Sequence, residues 1–205
     1  MKLDGLYLSI RRALGEEDAS GALANYVRRR TPLLHRAIEL EEQGAQQLLI
    51  FIEAYIKQVP KLLLEAWPAC CDASFAWLKH SLLTAARLFC GRKQSPNSML
   101  ALLARAYMAH RLLEEVNDRF IQYLGYSLLS PDMTRANLVA YELLGEQWAA
   151  RIDSTVLVVA AQLVDACTED WPLRDEHTNV LRVESWTPRL CLSEAAGVQL
   201  SWRVA

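Results

Sequence analysis

A chain of 205 residues, 52% hydrophobic and 22% charged, can build one good core and is too apolar to stay disordered. A net charge of −2 excludes a general affinity for nucleic acid. Five cysteines, an odd number with Cys70 and Cys71 adjacent, suit neither a disulfide framework nor a paired-thiolate metal site, and they fit a reducing cytoplasm.

In chain order, Met1–Leu14 reads as a short amphipathic helix with Leu3, Leu6, Tyr7, Ile10 and Leu14 on one side. Asp4, Arg11 and Arg12 within it are foreign to a secretory leader. Gly15–Gly21 reads as a polar connection, and Ala22–Arg30 as a turn or two of helix. Thr31-Pro32, Ser95-Pro96 and Ser130-Pro131 each place a hydroxyl residue before proline and a run of helix formers, which is how a helix start is spelled. The first predicts a helix over Thr31–Val59 with Leu34, Ile38, Ala45, Leu48, Leu49, Ile52, Ile56 and Val59 on one stripe, interrupted or kinked at Pro60. Phe75, Leu78, Leu82, Ala86 and Phe89 mark the next helix, closed by Gly91. Pro96–Leu124 follows, with Gly125 as its stop.

The last pattern, Pro131–Cys167, would span about 54 Å as one helix. That is long beside a radius of gyration of about 17 Å for a compact domain of this length. Gly145 is the expected break. Ser154–Val164 is apolar nearly all round, which places it at the centre of a bundle or in an oligomer interface. Thr168–Ala205 breaks the helical pattern. It reads as an irregular tail packing Trp171, Trp186 and Trp202 over the bundle, with a short hairpin of Val180–Val183 and Val198–Val204 as the alternative. The expected architecture is all-α: a single-domain bundle over residues 1–205, with short N-terminal helices to 30, core helices over 31–167 and a C-terminal tail over 168–205. No apolar run is long enough to span a membrane.

Candidate chemistry is sparse. On the Pro96–Leu124 pattern, Leu103, Ala106, His110, Leu113, Asn117, Phe120 and Leu124 share a stripe, so His110 and Asn117 are polar residues in an apolar line. Glu114 lies one turn beyond His110, and Tyr107 is close by. His110 with Glu114 at i,i+4 can form an acid–base pair; the plainer reading is a core histidine satisfied by Glu114 or a carbonyl. His35 and Glu39 repeat the same spacing, and His35 and Glu42 line one edge of the Thr31–Val59 stripe. Convergence of His35, Glu42, His110 and Glu114 would make a ligand pocket between the 31–59 and 96–124 helices. No histidine has the Glu-x-x-His spacing of a di-iron bundle, so no metal site is predicted, and no cofactor is specified.

Charge is segregated along the chain. Ala73 to Leu113 holds no carboxylate but six cations, Lys79, Arg87, Arg92, Lys93, Arg105 and Arg111, while acids dominate from Glu114 onward. The Arg92-Lys93-Gln94-Ser95 loop before a helix start is the best anion-binding candidate, through Arg92, Lys93 and Ser95. The alternative is a solvated turn, with the basic helices paired against Glu142, Glu146 and Asp153 of the last helix. Lys79-His80-Ser81-Leu82 resembles the helix of histidine phosphotransfer bundles but departs from it at Leu83 and Thr84. Glu194–Val198 resembles a helix-turn-helix turn with too little chain after it for a recognition helix. No GxSxG or other nucleophile motif is present, and no catalytic residue is predicted. The sequence therefore favours a non-catalytic helical binding or regulatory module, working through protein–protein contacts as a homodimer or with another partner. The alternative is a bundle with a His/Glu/Tyr pocket for a small anionic or apolar ligand, possessing enzymatic activity or not.

Overall fold

The computed structural model describes residues 4–71, 75, 77–91, 98–125, 127–129, 132–165 and 198–200. These form an all-α fold. Helices α1 (Asp4–Ser20) and α2 (Ala22–Arg30) are followed by α3 (Gly44–Ala66), α4 (Leu78–Cys90), α5 (Met99–Leu124), α6 (Thr134–Leu144) and α7 (Glu146–Asp165). A two-residue antiparallel ladder joins β1 (Ile38–Glu39) to β2 (Gln199–Leu200).

The apolar stripes of these helices explain their packing. Leu48, Ile52, Ile56 and Val59 of α3 are fully buried, as are Leu78, Leu82 and Phe89 of α4 and Leu103 and Ala106 of α5. Helix α5 is the hub: α1, α2, α3, α4, α6 and α7 all pack against it, and their buried faces share one core. Pro60 does not interrupt α3. It removes one N–H from the helical ladder, at a cost of about 3 kcal/mol, but Val59, Leu62 and Leu63 around it are wholly buried and hold the helix together.

Helix ends show where local signals were read correctly and where tertiary context redirected them. Ser98 caps α5 by accepting the Ala101 N–H at 3.3 Å, while Ser95 and Pro96 lie outside the described residues. Gly125 closes α5 in the left-handed region, at φ 80°. The long last pattern breaks at Gly145, as expected, into α6 and α7. Ser130 and Pro131 lie outside the described residues; α6 begins at Thr134, whose N–H bonds the Asp132 carboxylate at 2.8 Å.

Thr31-Pro32 ends a helix instead of starting one. The Thr31 hydroxyl donates back to the Val27 carbonyl at 2.8 Å, closing α2, and after a short 3-10 turn Leu34 is extended. Residues 31–43 are therefore not the first part of a helix, because Ile38 and Glu39 pair with Leu200 and Gln199 instead. The helix starts at Gly44, which Leu40 overlies so closely that an added Cβ would sit 2.9 Å from the Leu40 Cβ.

Near the N-terminus, α1 runs on through Gly15 to Ser20, leaving Gly21 as the only break before α2. The Glu17 carboxylate makes that tight junction stable by accepting the N–H groups of Leu23 and Ala24, the first-turn donors of α2. Tyr7, grouped by periodicity with the buried side of α1, is exposed. Within the C-terminal region, Val198 is buried and Gln199–Leu200 pair with β1; the other residues assigned to the tail or to a hairpin lie outside the described residues. An extended strand after Gly197 is incompatible with a recognition helix there. Among the described residues, no helix is long and apolar enough to cross a membrane.

Candidate functional site

The candidate residues on α5 do not bond one another; each is taken up by a partner elsewhere in the fold. His110 is buried, and its ring lies against that of Tyr55 with centroids 4.3 Å apart. Its Nε2–H donates to the Tyr55 carbonyl at 2.9 Å, and its Nδ1 is buried without a hydrogen-bond partner. Burial lowers its pKa from the usual 6.5 to about 4, partly opposed by the bond to the Tyr55 carbonyl, so the ring is neutral. His110 does not pair with Glu114. The plainer reading, a core histidine held by a carbonyl, describes its contacts.

Glu114 instead gathers donors from two helices. Thr134 Oγ1 donates to its Oε1 at 3.0 Å, and Asn137 Nδ2 donates to its Oε2 at 2.7 Å. Arg111, one turn back on α5, forms an ion pair with it. The Arg111 guanidinium also reaches Glu115 at 3.2 Å and Asp153 of α7 at 3.0 Å. Burial works against the Arg111 charge, but Glu114 and Asp153 outweigh it and push its pKa further up.

Tyr107 and Tyr55 complete the chain of contacts. The Tyr107 hydroxyl donates to Asp153 Oδ1 at 2.9 Å, and the Tyr55 hydroxyl donates to Asn137 Oδ1 at 2.6 Å. Burial raises the pKa of both phenols, with Asp153 adding to the effect at Tyr107. Four helices, α3, α5, α6 and α7, are thus stitched by one polar network.

The remaining sequence candidates do not join it. Asn117 turns its amide oxygen to the segment after α5, accepting from Ser127 Oγ at 3.1 Å and from the N–H groups of Leu128 and Leu129 at 2.8 and 3.1 Å. His35 is exposed on the 31–43 segment, not on a helix; its Nδ1 accepts the Ala37 N–H at 3.2 Å. Glu42 is also exposed and precedes α3, so the helical edge assigned to His35 and Glu42 does not exist. The physical reason is the β1–β2 pairing, which takes this segment out of the helix. Arg92, Lys93 and Ser95 lie outside the described residues.

The expectation that basic helices pair with the acidic last pattern holds at Arg111 and Asp153. Glu142 takes a different part: its carboxylate accepts the His35 backbone N–H at 3.3 Å, and its carbonyl is bonded by Arg30. Sequence reasoning missed Tyr55, Thr134 and Asn137 as network members. Asn137 sits mid-helix on a buried face, and that is the one signal that could have marked it.

Cys70, Cys71 and Cys90 are free thiols. Burial raises the pKa of Cys90, and neighbouring Arg105 only partly opposes that. Such a thiol is a poor nucleophile. Arg105 Nη1 donates at 2.8 Å to the Cys90 carbonyl, tying down the end of α4. Among the described residues, no group of three His, Cys, Asp or Glu side chains is placed to hold a metal. Compared with protein-family models, with curated proteins and with solved structures, the chain matches none of them.

Proposed function

We propose that this chain is a non-catalytic helical module that works through protein–protein contact, and that its contact surface is the outward face of α7, occupied by a second copy of the chain. The observation that carries this reading is the exposure of Leu157 (46%) and Val158 (58%) on a helix with no charged residue between Ser154 and Leu163. The inner face of α7 is already used, since Ala149, Ile152, Val156 and Ala160 are buried against the bundle. Leu157 and Val158 are thus not buried within the bundle, and their exposure supports the interface alternative for α7.

The outer face suits its own copy. Ala150, Ser154, Leu157 and Ala161 follow steps of four, three and four residues, the spacing of a seam between two helices. A two-fold contact places the same patch on both subunits, so a charged face would repel itself and an uncharged one does not. A pair of 20-residue helices is only about 30 Å long. It buries less than the roughly 800 Å² per partner of a standard stable interface, so the dimer is a reversible one. The polar residues that would have built a ligand pocket, His110, Glu114, Tyr107 and Asn117, bond within the fold, which supports contact over chemistry.

Sedimentation equilibrium of the full chain across a wide concentration range tests this. The expected result is self-association that a Leu157→Glu, Val158→Glu double variant abolishes while keeping its helical circular dichroism. A chain that stays monomeric at every concentration overturns the reading. So does a monomer that the double substitution destabilises, since the face would then be covered by the chain itself.

A further inference from the structure

His110 is held in a way that leaves no place for a second proton. Its Nε2–H is committed to the Tyr55 carbonyl, one side of its ring faces the Tyr55 ring, and its Nδ1 is buried with no partner. Protonation of an imidazole adds its second N–H at the bare nitrogen, here Nδ1. We infer that the His110–Tyr55 contact is an acid-operated latch between α5 and α3: a proton at Nδ1 places a cation and an unpaired donor in a dry interface, which opens to hydrate them.

The charged groups around this interface offer no relief. On α5 and α7, Arg111, Glu114 and Asp153 are engaged with one another, and none bonds the imidazole. On α3, Glu53 and Lys57 pair with each other at the surface. Lys79 and Arg87 of α4, Arg135 of α6, Arg11 and Arg12 of α1 and Arg28 and Arg29 of α2 are exposed. Tyr55 transmits the release, because the residue whose carbonyl holds His110 also holds Asn137 of α6 through its hydroxyl. Opening at His110 therefore loosens α6 as well as α3. This device is independent of the α7 surface.

The sign follows from linkage. The folded-state pKa is depressed to about 4 from 6.5. The stabilisation is complete above pH 6.5 and is lost as pH falls from there towards 4, because the unfolded chain takes up the proton first. One proton changes the unfolding constant about tenfold per pH unit across that window.

Two measurements on the full chain test the latch: the imidazole resonances of His110 followed by NMR, and urea unfolding of wild type and His110→Leu between neutral pH and about pH 4.5. The expected result is that His110 stays neutral while the chain is folded, and that the wild-type unfolding constant rises relative to the variant by about tenfold per pH unit below 6.5. A His110 that titrates near 6.5 in the folded chain, or a wild-type-to-variant ratio that stays flat with pH, overturns the proposal. If His110→Leu fails to fold, the NMR titration of the wild type alone decides.

Discussion

Arg30 closes α6 from outside. Its Nε and Nη2 donate to the Glu142 carbonyl at 3.0 and 2.8 Å, and Tyr26, one turn earlier on α2, donates its hydroxyl to the Leu143 carbonyl at 2.6 Å. Those carbonyls have no helical partner once the chain breaks at Gly145, so α2 supplies the donors. The break and its clamp belong together. Gly145 has φ 90° and ψ 141°, and a Cβ there would lie 3.1 Å from Arg30 Nη2.

Gly145→Ala is therefore expected to destabilise the fold by about 1–3 kcal/mol, from backbone strain and from displacing the Arg30 guanidinium. Urea unfolding of the variant measures it. A change below about 0.5 kcal/mol, the ordinary scatter of surface substitutions, would show that neither the conformation nor the clamp matters.

Two tyrosine-to-phenylalanine substitutions should differ in cost. Tyr55→Phe leaves Asn137 Oδ1 buried without its donor, at a cost of about 1–3 kcal/mol. Tyr107→Phe is milder, at about 0.5–1.5 kcal/mol, because Asp153 keeps its bond to Arg111 and is partly exposed. Equal costs in the same unfolding assay would contradict the ranking of buried against partly solvated partners.

Asn117 is expected to act on one segment. Asn117→Ala removes three bonds to residues 127–129 and should cost about 1–3 kcal/mol. Hydrogen exchange would report it first at the Leu128 and Leu129 amides. Unchanged protection there would mean the segment is held by other contacts.

Alkaline pH should also unfold the chain. Burial raises the pKa of Tyr55 and Tyr107 above the ordinary 10.0. The folded state then keeps protons that the unfolded state releases, so this stability is present below pH 10.0 and lost as pH rises beyond it. Tyrosinate absorbance followed together with circular dichroism is the check. The two buried phenols should ionise only as helicity is lost; full ionisation of all seven tyrosines with native helicity would refute it.

The outline of the fold was legible because its signals are local. The apolar repeat at Leu48, Ile52, Ile56 and Val59, the glycine stops at Gly91 and Gly125, and the implausible length of Pro131–Cys167 with its weak point at Gly145 are each contained within a few turns of chain. The site was half legible. Periodicity picked out His110 as a polar residue on a buried stripe, but the pairing with Glu114 inferred from i,i+4 spacing did not form. Glu114 found better donors in Asn137 and Thr134, which α6 delivers from elsewhere in the sequence.

By itself the amino-acid sequence determined that this protein is helical, where most of its oily faces lie, and that no familiar catalytic motif is written in it. Tertiary structure alone decided that residues 31–43 do not continue into the α-helix that starts at Gly44, since Ile38 and Glu39 answer to a strand at Gln199 and Leu200. It alone decided which side of α7 is left to solvent and which carbonyl holds His110. The physical reason is one of range: a helix closes its hydrogen bonds within four residues and so can be read from its own spelling, whereas a strand, an ion pair or a buried imidazole is completed by whatever the packing brings to it.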